Sequence, residues 1–352
     1  MIERHPWTTP KRESVSPKPE KLQLPAHSSW RKGLLWGTLS GWICIFLPYL
    51  AVMIFRAKGA AFIFDGSAEW IYIGSILLLM PILQGFEAGL VRGPGHQGFT
   101  SGLGLIMMIW LIDTLAAIVF LREGVICLVM AMPLLWGIMG IGYAIGRCFT
   151  QLKQSKTLSV SLAPLILLAV VAETSGSLPN YPDTITDSVT VMAPPDYVWR
   201  HVVDYPDNPS PSNYWLWRIG LAMPTHSVAP VQKVGEPRAC KFSGDQAFDE
   251  PITELEPSKK LTFDVTRQPK NPESIGHMTV DRGQITLKPN ADGSTTLTVT
   301  SWYRLRVRPA GYFDLWASDV TRHIHYRVLG YMKTLAERDY KAVRQTPVPD
   351  AN

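Results

Sequence analysis

Polar side chains near the carboxyl end of the chain are the first candidates for chemistry. Arg327, His323 and Tyr331 fall within TRHIHYRVLGYMKTLAE, where apolar residues recur at every third or fourth position. On a helix, Arg327 lies about 40° and His323 about 80° from the centre of this apolar stripe, whereas His325 lies more than about 100° away. A guanidinium beside an apolar surface can bind the carboxylate or phosphate head of an amphipathic molecule whose tail is buried.

Both Arg327 and His323 have a second interpretation. Arg327 can instead pair with an acidic residue such as Asp264 at the margin of a sheet, because charged groups near a core are usually paired. His323 is either a base or a hydrogen-bonded residue on the rim of a site, and no nucleophile or partner carboxylate is identifiable beside it in the sequence. The pattern predicts an anion-binding position and assigns no catalytic residue.

Aromatic residues form a second group of candidates. Tyr214, Trp215 and Trp217 follow a proline-rich turn in NPSPSNYWLWRIGLAMP. Tryptophan and tyrosine favour ligand pockets as well as membrane interfaces, so the segment is predicted to be a lid, an interface anchor or a short helix that completes the core. The expected ligand-binding residues are Arg327, His323, Tyr331, Trp316, Trp215 and Trp217.

Motifs for other kinds of chemistry are missing from the sequence. It has no glycine-rich phosphate loop, no triad signature and no zinc-binding spacing, and Cys240 is the only cysteine after residue 180. The net charge of +5 does not indicate nucleic-acid binding, because residues 180–352 hold 20 basic and 20 acidic side chains. We therefore predict no metal, no cofactor and no nucleic-acid partner.

Strands and two helices must position these candidates. The segment STTLTVTSWYRLRVR alternates apolar and polar residues, as does KLTFDV, which is typical of strands with one buried face. Pro194 and Pro195 begin a first helix, and a second helix runs from about Tyr312 to Tyr340. These patterns predict an antiparallel sheet of about six or seven strands around the long helix, a fold that often encloses an apolar cavity.

The order of these segments is similar to that of a known group. The segments that carry it are TVMAPPDYVWRHVVDYP, GEPRACKFSGDQAFDEPITELEPSKKLTFDV and TSWYRLRVRPAGYFDLWASDVTRHIHYRVLGYMKTLAE. They resemble the START-like, or SRPBCC, superfamily, whose members include polyketide cyclase/dehydrase and lipid-transport proteins. The resemblance covers most of residues 183–340 and implies an α+β helix-grip domain with a hydrophobic ligand cavity.

Three functions are compatible with such a domain. We expect it to bind a hydrophobic or amphipathic, lipid-like molecule. The alternatives are an enzyme that cyclises, dehydrates or hydrolyses a hydrophobic substrate with Arg327 and His323, and a membrane-anchored sensor or interaction module.

The first half of the chain is too apolar for a soluble domain. Residues 34–55 contain no charge in 22 positions, and about 20 apolar residues cross a bilayer as a helix. A shorter run at residues 158–172 is either a fifth span or a re-entrant segment, and we predict a span. The predicted α-helical membrane bundle has spans at about 34–55, 70–91, 102–121, 125–146 and 158–172.

Lysine and arginine are concentrated in the N-terminal tail and in alternate loops. The positive-inside rule therefore places the N-terminus in the cytoplasm, and five spans place the C-terminal domain outside. The predicted location is the bacterial inner (cytoplasmic) membrane, with a periplasmic domain. The predicted parts are a disordered cytoplasmic tail at 1–30, a transmembrane region at 31–173, a helix-grip domain at 183–340 and a tail at 341–352.

Polar residues within the predicted spans need partners. Asp113 costs at least about 2.5 kcal/mol at the centre of a bilayer, so it must face the bundle and be paired or protonated. Gln84 and Glu87 share one face of the second span and can line the same interior. Their role is either transport of a proton or solute, or a structural hydrogen bond between helices, which we favour.

Glycines are spaced for close helix packing in two of the spans. Gly33, Gly37 and Gly41 share one face, and Gly142 and Gly146 share another. Small residues at this spacing let helix backbones approach closely, either within one chain or between copies in a homo-oligomer.

Overall fold

The computed structural model describes helices in the first half of the chain and an α+β domain in the second. The described residues are 31–39, 42–43, 80–91, 99–116, 118–119, 124–152, 181–269, 278–307 and 309–345. The predicted tail at 1–30, the fifth span at 158–172 and parts of the other predicted spans lie outside these residues.

Four helices form the described part of the first half. They are α1 at residues 31–39, α2 at Met80–Val91, α3 at Phe99–Ala116 and α4 at Val125–Leu152. In the part of the chain that the structure describes, one helix is long and apolar enough to cross a membrane, Val125–Thr150, and a shorter apolar helix covers Gly102–Ala116.

These helices run in alternating directions. α3 is antiparallel to α4, because Gly102 approaches Tyr143 while Trp110 packs edge-on against Trp136 with ring centroids 5.7 Å apart. α1 is parallel to α3 and antiparallel to α2, because Gly33 lies near Leu105 and Ala88 whereas Gly37 lies near Ile109 and Gln84.

Glycines hold α2 and α4 in close contact. A Cβ added at Gly142 or Gly146 would overlap the carbonyl oxygen of Ile82 or Phe86, respectively. The contact is reciprocal, because α2 presents its own glycines, Gly85 and Gly89, to α4. The predicted close packing of Gly142 and Gly146 is therefore satisfied within the chain, and the sequence analysis overlooked the matching pair on α2.

Asp113 has a polar partner on a neighbouring helix, as expected for a carboxylate within an apolar segment. Gln84 is fully buried, and its Nε2 donates to Oδ2 of Asp113 at 2.8 Å, joining α2 to α3. Glu87, one turn further along α2, is only half-buried. This contact agrees with the structural hydrogen bond between helices that we favour, and the role of Asp113 stays a prediction.

Two antiparallel sheets form the second half of the chain. A five-stranded sheet has the order β1-β8-β7-β6-β5, and a three-stranded sheet has the order β2-β3-β4. The strands are β1 Tyr181–Val191, β2 Pro224–Val228, β3 Ala239–Phe242, β4 Gln246–Asp249, β5 Ile252–Glu256, β6 Lys260–Asp264, β7 Met278–Pro289 and β8 Thr295–Leu305. Two short helices, α5 at Pro195–Trp199 and α6 at Trp215–Arg218, lie between β1 and β2.

The last helix, α7 at Ala310–Gln345, packs along the larger sheet. Its carboxyl half carries Leu329, Met332 and Leu335 into a core with Leu297 and Ile285 of β8 and β7. Tyr340 meets Tyr197 of α5 edge-on, with ring centroids 5.1 Å apart. A sheet wrapped around one long C-terminal helix is the helix-grip arrangement.

Two details of the domain differ from the prediction. The described residues contain eight strands rather than six or seven, because β2 (PTHSV) begins with proline and lacks the alternation that marks the others. The long helix continues to Gln345, so residues 341–345 do not belong to a frayed tail. These positions are exposed, and no burial pattern marks a helix end there.

Replacing Gly142 with alanine tests the packing of α2 against α4. We expect Gly142→Ala to lower the free energy of unfolding by about 1–3 kcal/mol, because the new Cβ overlaps backbone that cannot move aside easily. Gly140→Ala is the matched control, because its added Cβ meets no atom within 4 Å apart from its own stretch of helix. It should be neutral or stabilise the helix by up to about 1 kcal/mol. Thermal unfolding of the full-length protein in detergent measures both, and equal effects would contradict the close contact.

Candidate functional site

A partly open cavity lies between α7 and the larger sheet, in the amino-terminal half of the helix. Its volume is about 420 Å³, and its wall is largely apolar. The sheet contributes Phe263, Ile285 and Val299, and the first turns of α4 contribute Ile126 and Met130. The residues of α7 that line it are Phe313, Trp316, Ala317, Val320, Thr321, Ile324, His325 and Val328.

Three polar side chains from three elements form a row at this wall. The Oγ of Ser301, on β8, lies 2.8 Å from Nε2 of His325 on α7. The Nδ1 of His325 lies 2.9 Å from Oδ2 of Asp187 on β1. Ser301 and His325 line the cavity, and Asp187 is buried behind them. Arg322 donates to the second carboxylate oxygen of Asp187 at 2.9 Å.

Burial determines the protonation of His325. It lowers the pKa of this histidine, and the hydrogen bond with Asp187 opposes the shift without cancelling it. The imidazole is therefore neutral near pH 7, with its proton on Nδ1, where the carboxylate accepts it. Nε2 is left as an acceptor for the hydroxyl proton of Ser301.

His325 lies outside the stripe of large apolar side chains on α7, which is why the sequence pattern assigns it no role. The predicted stripe was centred on large apolar residues near Ile324 and Tyr331. The face that approaches the sheet instead carries Ala317, Thr321 and His325 at intervals of four, all of them buried. Small and polar residues occupy the closest approach, and His325 lies about 100° around the helix from Ile324, so a stripe drawn through the large apolar side chains does not include it.

A second polar group lies elsewhere on the cavity wall. Arg238 and Glu250 form a buried ion pair, and Arg238 also donates from Nε to the carbonyl of Val203 at 2.8 Å. Burial raises the pKa of Glu250 to about 7, against the attraction of Arg238, and raises the pKa of Cys240 to about 12. The thiol is therefore protonated at neutral pH.

The residues that the sequence analysis selected lie mostly elsewhere. A groove of about 680 Å³ on the outer side of α7 is lined by Arg327, His323, Tyr331, Trp215 and Trp217, among others. Of the six predicted residues, Trp316 alone lines the cavity between α7 and the sheet. The other five line this outer groove and not the cavity, because Arg327, His323 and Tyr331 face α6 and the loop before it, and Trp215 and Trp217 belong to α6 itself.

Arg327 is bound by backbone oxygens. It donates from Nε to the carbonyl of Pro224 at 3.0 Å, and from its two terminal nitrogens to those of Ser210 and Asn208 at 2.9 and 3.2 Å. The alternative pairing with Asp264 is also wrong, because Asp264 accepts from Arg282 at 2.7 Å. Arg327 thus fastens the loop before β2 to α7.

His323 and its aromatic neighbours complete the outer groove. The His323 ring stacks on Tyr214 with centroids 3.7 Å apart, and its Nδ1 lies 2.8 Å from the carbonyl of Asp319. Trp215 and Trp217 belong to α6, a short helix of four residues with Leu216 buried. Among the described residues, no cluster of His, Cys, Asp or Glu could hold a metal ion.

The fold class and the family model agree on what this domain is. Residues 182–337 match the model of the family described as polyketide cyclase / dehydrase and lipid transport. This segment is therefore a domain of that SRPBCC type, which can bind hydrophobic ligands. The search of curated proteins gave no match.

Similar solved structures include two enzymes. An aromatase/cyclase, Zhui, from Streptomyces sp. R1128 is 16% identical over 46% of this chain and 98% of its own, with a TM-score of 0.33. Norcoclaurine synthase from Thalictrum flavum is 12% identical over 55% of this chain and 100% of its own, with a TM-score of 0.31. A protein from Nitrosospira multiformis is 14% identical over 46% and 100%, also at 0.31. Likenesses this low transfer no activity.

Replacing Arg327 separates its structural role from ligand binding. We expect Arg327→Met to lower the free energy of unfolding by about 1.5–3 kcal/mol, because hydrogen bonds from a charged donor contribute about that much. Affinity for acidic and neutral amphiphiles should change equally. Arg306→Met, at an exposed position, is the control for loss of one positive charge. Unchanged stability with a selective loss of acidic ligands would show instead that Arg327 binds a head group.

Proposed function

We propose that the C-terminal domain binds one amphipathic, lipid-like molecule in the cavity between α7 and the larger sheet. The cavity itself is the observation that supports this, since its volume of about 420 Å³ falls within the roughly 300–1,000 Å³ of small-molecule sites. Its apolar wall suits a hydrocarbon or ring system. Two polar groups on that wall, Ser301 with His325 and Arg238 with Glu250, can orient the polar part of the ligand.

The helices of the first half of the chain take part in this site. Tyr312 of α7 donates its hydroxyl to the carbonyl of Met130 in α4 at 2.5 Å, and Ile126 packs with Tyr214 and Leu216. The first turns of α4 thereby cover one side of the cavity. We propose that the ligand is taken from the membrane in which α4 is embedded, because an apolar molecule then reaches the cavity without crossing water.

The same contact supports the proposed orientation in the bacterial inner membrane. α4 ends near the basic residues Arg147, Lys153 and Lys156, so the positive-inside rule places its end in the cytoplasm and its beginning outside. The domain contacts the beginning of α4. The chain must then cross the membrane again before β1, and residues 158–172 are the apolar run available. The alternating directions of α1 to α4 also fit successive crossings.

A side chain that fills the cavity tests the binding proposal. Ala317 is buried at the cavity wall, and we expect Ala317→Phe to reduce the lipid that copurifies with the protein by at least about tenfold, or about 1.4 kcal/mol of affinity. Ala342→Phe adds the same ring at an exposed position of the same helix and should retain the lipid. Mass spectrometry of extracts from both variants measures this. Equal lipid content in both would contradict binding in the cavity.

A reporter fusion tests the orientation. Alkaline phosphatase joined after Gln345 should be active, because this enzyme needs the oxidising periplasm to form its disulfides. Green fluorescent protein joined at the same position tests for a cytoplasmic domain. It should not fluoresce if the domain is periplasmic, because it is then exported unfolded. Fluorescence with an inactive phosphatase would place the domain in the cytoplasm and remove the fifth crossing.

A further inference from the structure

We propose that Ser301, His325 and Asp187 form an acyl-transfer site that hydrolyses a carboxylic ester carried by the cavity ligand. This inference rests on the proposed function, because the ester must enter the cavity to reach Ser301. It goes beyond binding, since it assigns a reaction to residues that the sequence analysis left without one.

The three side chains are hydrogen-bonded in the order hydroxyl, imidazole and carboxylate, which is the order that nucleophilic catalysis requires. A serine hydroxyl lies within hydrogen-bond distance of one imidazole nitrogen, and a carboxylate lies within that distance of the other. In hydrolases on unrelated folds the same three groups are recognised by geometry and role, whatever their order in the chain. Here Asp187, Ser301 and His325 come from β1, β8 and α7, so the folded sheet and helix bring them together.

The exposure of each group to the cavity matches its role. Ser301 is half-buried and forms part of the cavity wall, so a bound carbonyl carbon can approach its oxygen. Asp187 is 4% exposed, and its two oxygens accept from His325 and Arg322. The carboxylate therefore orients the imidazole without contacting the ligand. A hydrogen-bond chain needed only for stability would not require its last hydroxyl to face an apolar cavity.

The protonation of His325 suits a general base. The neutral imidazole has its proton on the nitrogen beside Asp187, and the other nitrogen is free to accept a proton from Ser301. Thr321 stands one turn before His325 and lines the same cavity, so a bound ester would have a second hydroxyl-bearing side chain on that wall. It can donate to the carbonyl oxygen, on which negative charge develops during attack.

The reaction proceeds in two balanced steps. Ser301 Oγ forms a bond to the ester carbonyl carbon while its proton passes to Nε2 of His325. The bond to the alcohol oxygen then breaks, and His325 returns the proton to that alcohol, leaving an acyl group on Ser301. Water attacks the acyl carbon and gives its proton to His325, which passes it to Ser301 as the carboxylic acid leaves.

A fluorophosphonate with an alkyl chain tests the nucleophile in the full-length protein in detergent. The serine oxygen displaces fluoride, so the peptide that contains Ser301 should gain the mass of the phosphonyl group, and other serines should not. His325→Asn should slow labelling by about a hundredfold or more, because a positioned general base contributes roughly 10²–10⁴-fold. Hydrolysis of a p-nitrophenyl ester of a medium-chain fatty acid should fall by a similar factor.

Controls separate catalysis from folding and from ligand binding. Ser188→Ala changes an exposed serine on the neighbouring strand and should leave labelling unchanged, whereas Ser301→Ala should abolish it. The labelled serine is identified in the wild-type protein, so this readout does not depend on the folding of any variant. Binding of a fluorescent fatty acid is measured alongside.

The outcomes distinguish the two proposals. Absence of label at Ser301 with intact fatty-acid binding overturns the hydrolase and leaves the binding function in place. Equal labelling in wild type and His325→Asn overturns the role of His325 as base. Absence of both labelling and fatty-acid binding overturns the reaction together with the proposed function on which it rests.

Discussion

The buried carboxylate of Asp187 is the constraint on which the arrangement of the domain depends. Leaving a buried charge without its partner costs about 3–5 kcal/mol, so β1 can carry Asp187 inward only if α7 supplies donors to it. His325 and Arg322 are those donors. Because both project from α7, they fix the rotation of the helix against the sheet. That rotation directs Ile324 and Val328 into the cavity and turns Arg327, two residues beyond His325 and roughly 200° around the helix, to the outer groove.

The cavity follows from unequal packing along α7. In the carboxyl half, Leu329, Met332 and Leu335 fill the space to the sheet and form the continuous core. In the amino half, Ala317 and Thr321 occupy the face nearest the sheet, and side chains this small leave volume unfilled. The cavity does not collapse, because the well-packed carboxyl half of α7 and the ion pair of Arg322 with Asp187 hold the helix in place. One half of α7 therefore serves stability and the other forms the site.

The sequence predicted the elements of the domain better than the residues of its site. Alternation in β8 and the long apolar period of α7 are local patterns, and both elements appear close to their expected bounds. The Ser301, His325 and Asp187 row depends on strand register and helix rotation, which no local pattern specifies. A weak signal was present all the same. Asp187 stands at an inward position of a strand whose neighbours Ile185 and Val189 are apolar, and a charge there requires a partner.

The two halves of the chain resolve the same physical problem in the same way. In the helices, Asp113 is held by Gln84 from a neighbouring helix, and in the domain Asp187 is held by His325 and Arg322 from a neighbouring element. In each case a carboxylate that is shielded from water joins two structural elements that could otherwise slide past each other. The two groups differ in their surroundings. Gln84 is fully buried among helices, whereas His325 borders a cavity large enough for a ligand. A polar group that borders such a space can act on a bound molecule, whereas the contact of Gln84 with Asp113 lies between helices.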